Sequence, residues 1–337
     1  GTGIFKPGIQ ATIVKSTSRE NSSMAWGVFY QTVNIGGFIG PLLAAQLRQL
    51  EWSHVFYACA GIISINFLLL LTYKEQDKEE RLAHRAKVKS GEISEVSLWR
   101  DSLGELLRPI MIWYMVLFAG FWFMLMAFWD VAPLYFRDWV DTSVMVQHLF
   151  GADGTSNPAW IFLLGMTQDG QRIQPEGLVN LNAMMIMIFC FIVAGWSALM
   201  KATNSMAVGT FLAAAALLTI GGFNYVWIMV LAIVCFSMGE MLSSPKSSEY
   251  LGNIAPRQKK AMYLGFSQLP IGIGWSLEGF LGQYLYGKFG SKDTISREEL
   301  LNRGMAQPDI DAVPIGEAFQ KLIEVSGQSA EALTAEM

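Results

Sequence analysis

LVNLNAMMIMIFCFIVAGWSALM, Leu178 to Met200, is followed after the short break KATNS by MAVGTFLAAAALLTIGGF, Met206 to Phe223, and neither run contains a charged residue. A bilayer core about 30 Å thick takes ~20 apolar residues of helix, so each run suffices for one crossing. Outward from this pair the pattern repeats. Ala25 to Leu47 and Val55 to Tyr73 are free of charge, Pro109 to Tyr135 holds only Asp130, and Tyr225 to Ser243 holds only Glu240. Ala261 to Tyr286 is rich in glycine and holds Glu278. Hydrocarbon offers no partner to an open backbone amide, so such runs are helices. The alternation expected of membrane strands is absent. The fold class expected is all-α and polytopic.

Composition agrees. Of 337 residues, 52% are hydrophobic and only 15% charged, against about 25% in soluble domains. Disorder and an ordinary soluble enzyme are both excluded. With 24 basic and 28 acidic residues there is no cationic excess, and nucleic acid is not an expected partner. Cys59, Cys190 and Cys235 are scattered through apolar runs, which suits neither a disulfide framework nor a zinc site. The sequence has no phosphate-binding G-x-x-x-x-G-K-[ST] loop, no metal-ligand cluster and no nucleophile elbow. No cofactor, no metal and no enzymatic activity are therefore expected.

Basic residues orient the chain. Lys15 and Arg19, eight residues between Lys74 and Arg108, Lys201, and Lys246, Arg257, Lys259 and Lys260 fall on one alternating side. The opposite internal loops hold Arg48, Arg137 and Arg172. The positive-inside rule makes the first side cytoplasmic, in a plasma or inner membrane, with the segment from Arg137 to Gly177 outside. Residues 1–73 form the remainder of one helix bundle, 74–108 a cytoplasmic linker, 109–287 a second bundle and 288–337 a polar segment. Gly1 to Val14 spans only ~21 Å as helix and is expected to be the end of a longer helix. The polar segment carries a capping-box pattern at Ser296 and Glu299 and an amphipathic stretch around Phe319, Leu322 and Ile323.

Charges inside spans cost ~2.5 to 3.5 kcal/mol each at a helix centre on insertion scales, and usually face a cavity or one another. Four occur. Lys6 lies in GTGIFKPGIQ, where Pro7 loosens the backbone and Gly8 permits close approach; it is either an anion or carboxylate partner or a lysine snorkelling to headgroups. Glu240 stands five residues before Pro245, where the helix should bend or end; it is either a protonatable gate or a cap at the rim. Asp130 ends an aromatic stretch with Trp122, Phe128 and Trp129, and is either a proton-exchanging acid or part of an aromatic belt. Glu278 lies toward the outer end of its helix.

At the same residues the chain resembles the major facilitator superfamily and, within it, the proton-dependent oligopeptide transporters. GTGIFKP, Gly1 to Pro7, is similar to the fourth-helix pattern G-T-G-x-x-K-P-N, with Gly8 in place of Asn. FYQTVNIGGF, Phe29 to Phe38, resembles the fifth-helix F-Y-x-x-I-N-x-G-S-L at Phe29, Tyr30, Asn34 and Gly36, departing at Val33, Gly37 and Phe38. GEMLSSP, Gly239 to Pro245, with Ala255 and Pro256 after it, resembles the tenth-helix G-E-x-x-x-S-P. The resemblance implies a two-bundle fold, truncated here at both ends, running from a fourth helix to an eleventh. It implies alternating access by a monomer in the lipid bilayer, coupling protons to a small peptide-like substrate, with a sugar, nucleoside or drug permease as the alternative. It further implies that Lys6 and Glu240 face each other across a cavity, with Tyr30 and Asn34 lining it. Glu240 and Asp130 become the proton-coupling candidates, and Pro7, Pro41 and Pro245 the helix-bending positions.

Overall fold

The charge-free runs become helices in the computed structural model, which describes residues 2–18, 20–72, 78–91, 98–256 and 259–337. Arg19, Arg257 and the linker residues 73–77 and 92–97 lie outside the described residues. The first group comprises α1 (Thr2–Ser16), α2 (Ser22–Leu50) and α3 (Trp52–Leu70). α2 turns into α3 at Glu51, whose extended backbone still sends its N–H to the Leu47 carbonyl at 3.2 Å. The linker contributes α4 (Lys78–Lys89) and α5 (Leu98–Leu106).

The second group begins with α6 (Pro109–Asp130) and α7 (Ala132–Trp139), which together make one apolar stretch of 31 residues. The interruption at Val131 has a plain cause: Pro133 has no N–H to give the Trp129 carbonyl. Next come α8 (Ser143–Phe150) and α9 (Pro158–Leu163), then α10 (Pro175–Ala198), α11 (Ala202–Gly222) and α12 (Val226–Ile254). α13 (Lys260–Phe266) and α14 (Gln268–Phe289) are parted at Ser267, where Pro270 cannot donate to the Phe266 carbonyl.

Among the described residues, five helices are long and apolar enough to cross a membrane. Two of the seven expected spans are not among them. α2 carries Gln31, Thr32, Asn34, Gln46, Arg48 and Gln49, and α13 with α14 carries Gln268, Glu278 and six glycines. These residues lower their mean hydropathy, although both helices still expose large apolar side chains, Ile39 and Leu43 on α2 and Phe280 and Leu281 on α14.

Sequence also misjudged the end of α12. The helix passes Pro245 and continues to Ile254, so Pro245 neither ends it nor leaves Lys246 in a loop. The expected cap at Ser296 is likewise displaced: α15 (Lys292–Asn302) starts after Ser291, and the Ser296 hydroxyl donates to the Lys292 carbonyl at 2.6 Å. Glu299 pairs instead with Arg303 at 2.8 Å.

The chain forms two compact units. The first holds Gly1–Ala119, Ala183–Leu212 and Ser237–Ile271. Its core gathers Ile186, Cys190, Val193, Met241 and Leu242, with Tyr30 packed against them. Close approach comes from glycines other than the expected Gly8, where an added Cβ would meet nothing within 4 Å. Gly27 of α2 accepts the Ala194 methyl of α10, while Gly209 of α11 faces the Gly239 carbonyl and Ser243 of α12, and no Cβ would fit at either.

The second unit holds Gly120–Asn182, Ala213–Phe236 and Gly272–Met337. Phe128 stacks on Phe236 with ring centres 4.3 Å apart. The polar segment folds as α15, α16 (Gln307–Asp311), α17 (Ala318–Ser326) and α18 (Ala330–Glu336) around Leu300, Ile310, Leu322 and Leu333. Phe319 and Ile323 pack against that core, as their amphipathic spacing suggests. Arg297 holds the turn after α16 through the Ile310, Val313 and Pro314 carbonyls.

Candidate functional site

In the first unit α2 and α12 run antiparallel and are joined at two levels. At one, the Tyr30 hydroxyl donates to Glu240 Oε1 at 2.5 Å, and the carboxylate is 3% exposed. α2 reaches this depth because Gly27 admits Ala194 and its carbonyl accepts the Cys190 thiol at 3.4 Å. Gln31 is anchored beside Tyr30 by donating to the Met187 carbonyl at 2.6 Å. Asn34 donates to the Tyr30 carbonyl at 3.0 Å, a bond within its own helix.

At the second level Lys246, Glu249 and Ser23 form a buried ring. The Lys246 ammonium lies 2.9 Å from Glu249 Oε2 and donates to Ser23 Oγ at 2.6 Å, while the Ser23 hydroxyl donates to Glu249 Oε2 at 2.9 Å. All three are less than a tenth exposed. The two levels are seven residues apart on α2, about 10 Å of rise. Sequence reasoning missed this ring because it placed Lys246 in a loop. The i, i+3 spacing of Lys246 and Glu249 was the available signal.

Lys6 sits half-buried on α1, which packs against α13. The structure brings Tyr30 to Glu240, and Lys6 lies on a helix of the same unit. Gln10, one turn further along α1, is 3% exposed, and its Oε1 has no hydrogen-bond partner among the described residues. Pro7 and Pro41 fall within α1 and α2, and neither terminates its helix.

In the second unit Asp130 is the last residue of α6 and accepts from the Trp275 indole at 3.0 Å. Glu278, one turn along from Trp275, is fully buried and has the Asp130 carboxyl beside it. The spacing of Trp275 and Glu278 on α14 thus turns both toward the acid of α6.

Outside the spans, a clasp ties α5 to the approach of α13. Lys259 lies 2.6 Å from Asp101 and 2.9 Å from Glu105, and the Tyr263 hydroxyl donates to Glu105 at 2.6 Å. Bonds from Tyr263 and Lys259 hold the Glu105 carboxyl below its usual range. Bonds to Asp101 and Glu105 hold the Lys259 ammonium above its own.

Single carboxyls, a phenol, amides and an ammonium can hold a proton or a polar solute. No group of three or more potential metal ligands exists among the described residues. The family model of the Major Facilitator Superfamily matches residues 1–277. No curated protein and no solved structure matches the chain. The apolar helices and buried intramembrane acids agree with that match over most of the chain, which belongs to the Major Facilitator Superfamily and is an integral membrane transporter of small molecules.

Proposed function

We propose that the chain functions as a proton-coupled symporter for di- or tripeptides, working by alternating access between two helix bundles, residues 1–73 and 109–287. The bond between Tyr30 and buried Glu240 carries this proposal. A carboxyl that can exchange its phenol partner for a substrate amine, and its charge for a proton, links solute binding to a helix contact. Lys6, on the same unit, supplies the cation a peptide carboxylate needs. Asn34 donates to the Tyr30 carbonyl next to the site, and the two levels at which α2 meets α12 supply the contacts such a gate would break. The linker 74–108 is then cytoplasmic, and the transporter acts as a monomer.

Driving force is sufficient, because one charge crossing 100 mV gains ~2.3 kcal/mol. In proteoliposomes carrying the intact transporter, Glu240→Gln is expected to abolish gradient-driven accumulation of a labelled dipeptide while leaving exchange intact. Accumulation at the wild-type level removes Glu240 from coupling. Competition by peptides, set against sugars, nucleosides and cationic drugs, separates this function from a facilitator on the same scaffold.

A further inference from the structure

Glu278 poses a physical problem that the site around Glu240 does not address. It is fully buried, and neither carboxyl oxygen receives a hydrogen bond from any described residue. An ionised carboxylate in such a place is very costly unless it is paired. Among the described residues the charged group that acts on it is a second acid, Asp130 of α6. Two acceptors facing one another repel unless a proton lies between them.

The surroundings are shaped for that arrangement. The Glu278 carboxyl folds back over Gly282, where a Cβ would collide with Oε1. Glycine therefore clears the space that the carboxyl occupies. Asp130 is half-buried, and its Oδ2 is held by the Trp275 indole at 3.0 Å, which leaves its other oxygen available. Asp130 is partly exposed while Glu278 is not, so of the two acids Asp130 is the one that can reach the surface.

We propose that Asp130 and Glu278 are a two-carboxyl proton site, in which Glu278 holds one proton toward Asp130 and Asp130 passes it to and from water. In loading, Asp130 takes a proton from water and transfers it to a Glu278 oxygen, and Asp130 is left ionised with its indole donor. Release reverses both transfers, and no other reactant is needed. This rests on the proton-coupled function above, and adds to it a partner for Asp130 on a different helix from Glu240.

The test needs no transport. Protons taken up by the purified transporter after a pH jump are counted with a dye, and the buried-acid carbonyl band is followed by infrared difference spectroscopy. Glu278→Gln is expected to lose one proton per chain and the band, Asp130→Asn to do the same, and the double variant to lose no more than either. Gly282→Ala keeps both acids but displaces the carboxyl, and should shift the band and the midpoint of uptake, even where Glu278→Gln folds poorly. An unchanged count in Glu278→Gln, loss of two protons in the double variant, or a Gly282→Ala chain that titrates like wild type overturns the site. So does stoichiometric binding of sodium ion that Glu278→Gln removes, which makes the pair a metal-cation site instead. Absence of peptide uptake with this titration intact counts against the proposed substrate and leaves the carboxyl pair standing.

Discussion

Glu105 shows how a single residue can set a pH limit on docking of the linker. Its carboxyl is depressed by Tyr263 and Lys259, so its stabilising contribution is complete above the ordinary carboxylate range and is lost as pH falls through the lowered value. Lys259 is raised by Asp101 and Glu105; its share is complete below its ordinary value and is lost as pH rises through the raised one. The clasp is therefore closed from mildly acid to alkaline pH. Glu105→Gln is expected to raise the rate of proteolysis in the linker a few-fold at pH 7 and to flatten its rise on acidification. A cleavage profile that still climbs in acid assigns the effect to another group. Among residues, Glu240 was legible from sequence because a lone acid in an apolar run is conspicuous. Its partner was less so, since a tyrosine is unremarkable in a membrane helix, and it came into view through the family motif. The Lys246 ring was hidden by proline, which suggested an end where the helix goes on.

Helices succeed or fail here on small contacts. α11 rests against α12 through Gly209, which faces the Gly239 carbonyl, and Ser205 donates to the Leu242 carbonyl at 2.8 Å just before it. Gly209→Val would drive the helices apart, and overpacking of this kind costs about 1 to 3 kcal/mol. A thermal unfolding midpoint in detergent lowered by several degrees is expected. A midpoint unchanged from wild type shows that the pair can slide apart freely. Helix existence was legible because charge-free length alone dictates it in a bilayer. Which glycines matter was not, because Gly8 and Gly209 look alike until a neighbouring helix is in place. The breaks at Val131 and Ser267 depend on Pro133 and Pro270, and they fall where the interrupted hydrogen bonds require.

For the molecule as a whole, the family match and the five membrane-length helices fix a transporter fold, whereas the proposed substrate and coupling rest on a few polar groups. Lys246→Met leaves Glu249 buried without its cation, a change that costs about 3 to 5 kcal/mol when one partner of a buried pair is removed. The expected result is a resting population moved toward the state in which α2 and α12 are parted at the Lys246 level. Cysteine probes placed at the ends of α2 and α12 nearest that ring should then label faster, and labelling equal to wild type removes the ring from the proposed gate. The folded polar segment was only half legible, because its four buried leucine and isoleucine positions are spread over four short helices with no single long period to announce them. α12 runs without a stop from the level of Tyr30 to that of Ser23, so one continuous helix bears both fastenings. In the proposed cycle a solute that undoes only the Tyr30 contact leaves the Ser23 one in place, and α2 parts from α12 only when both are released.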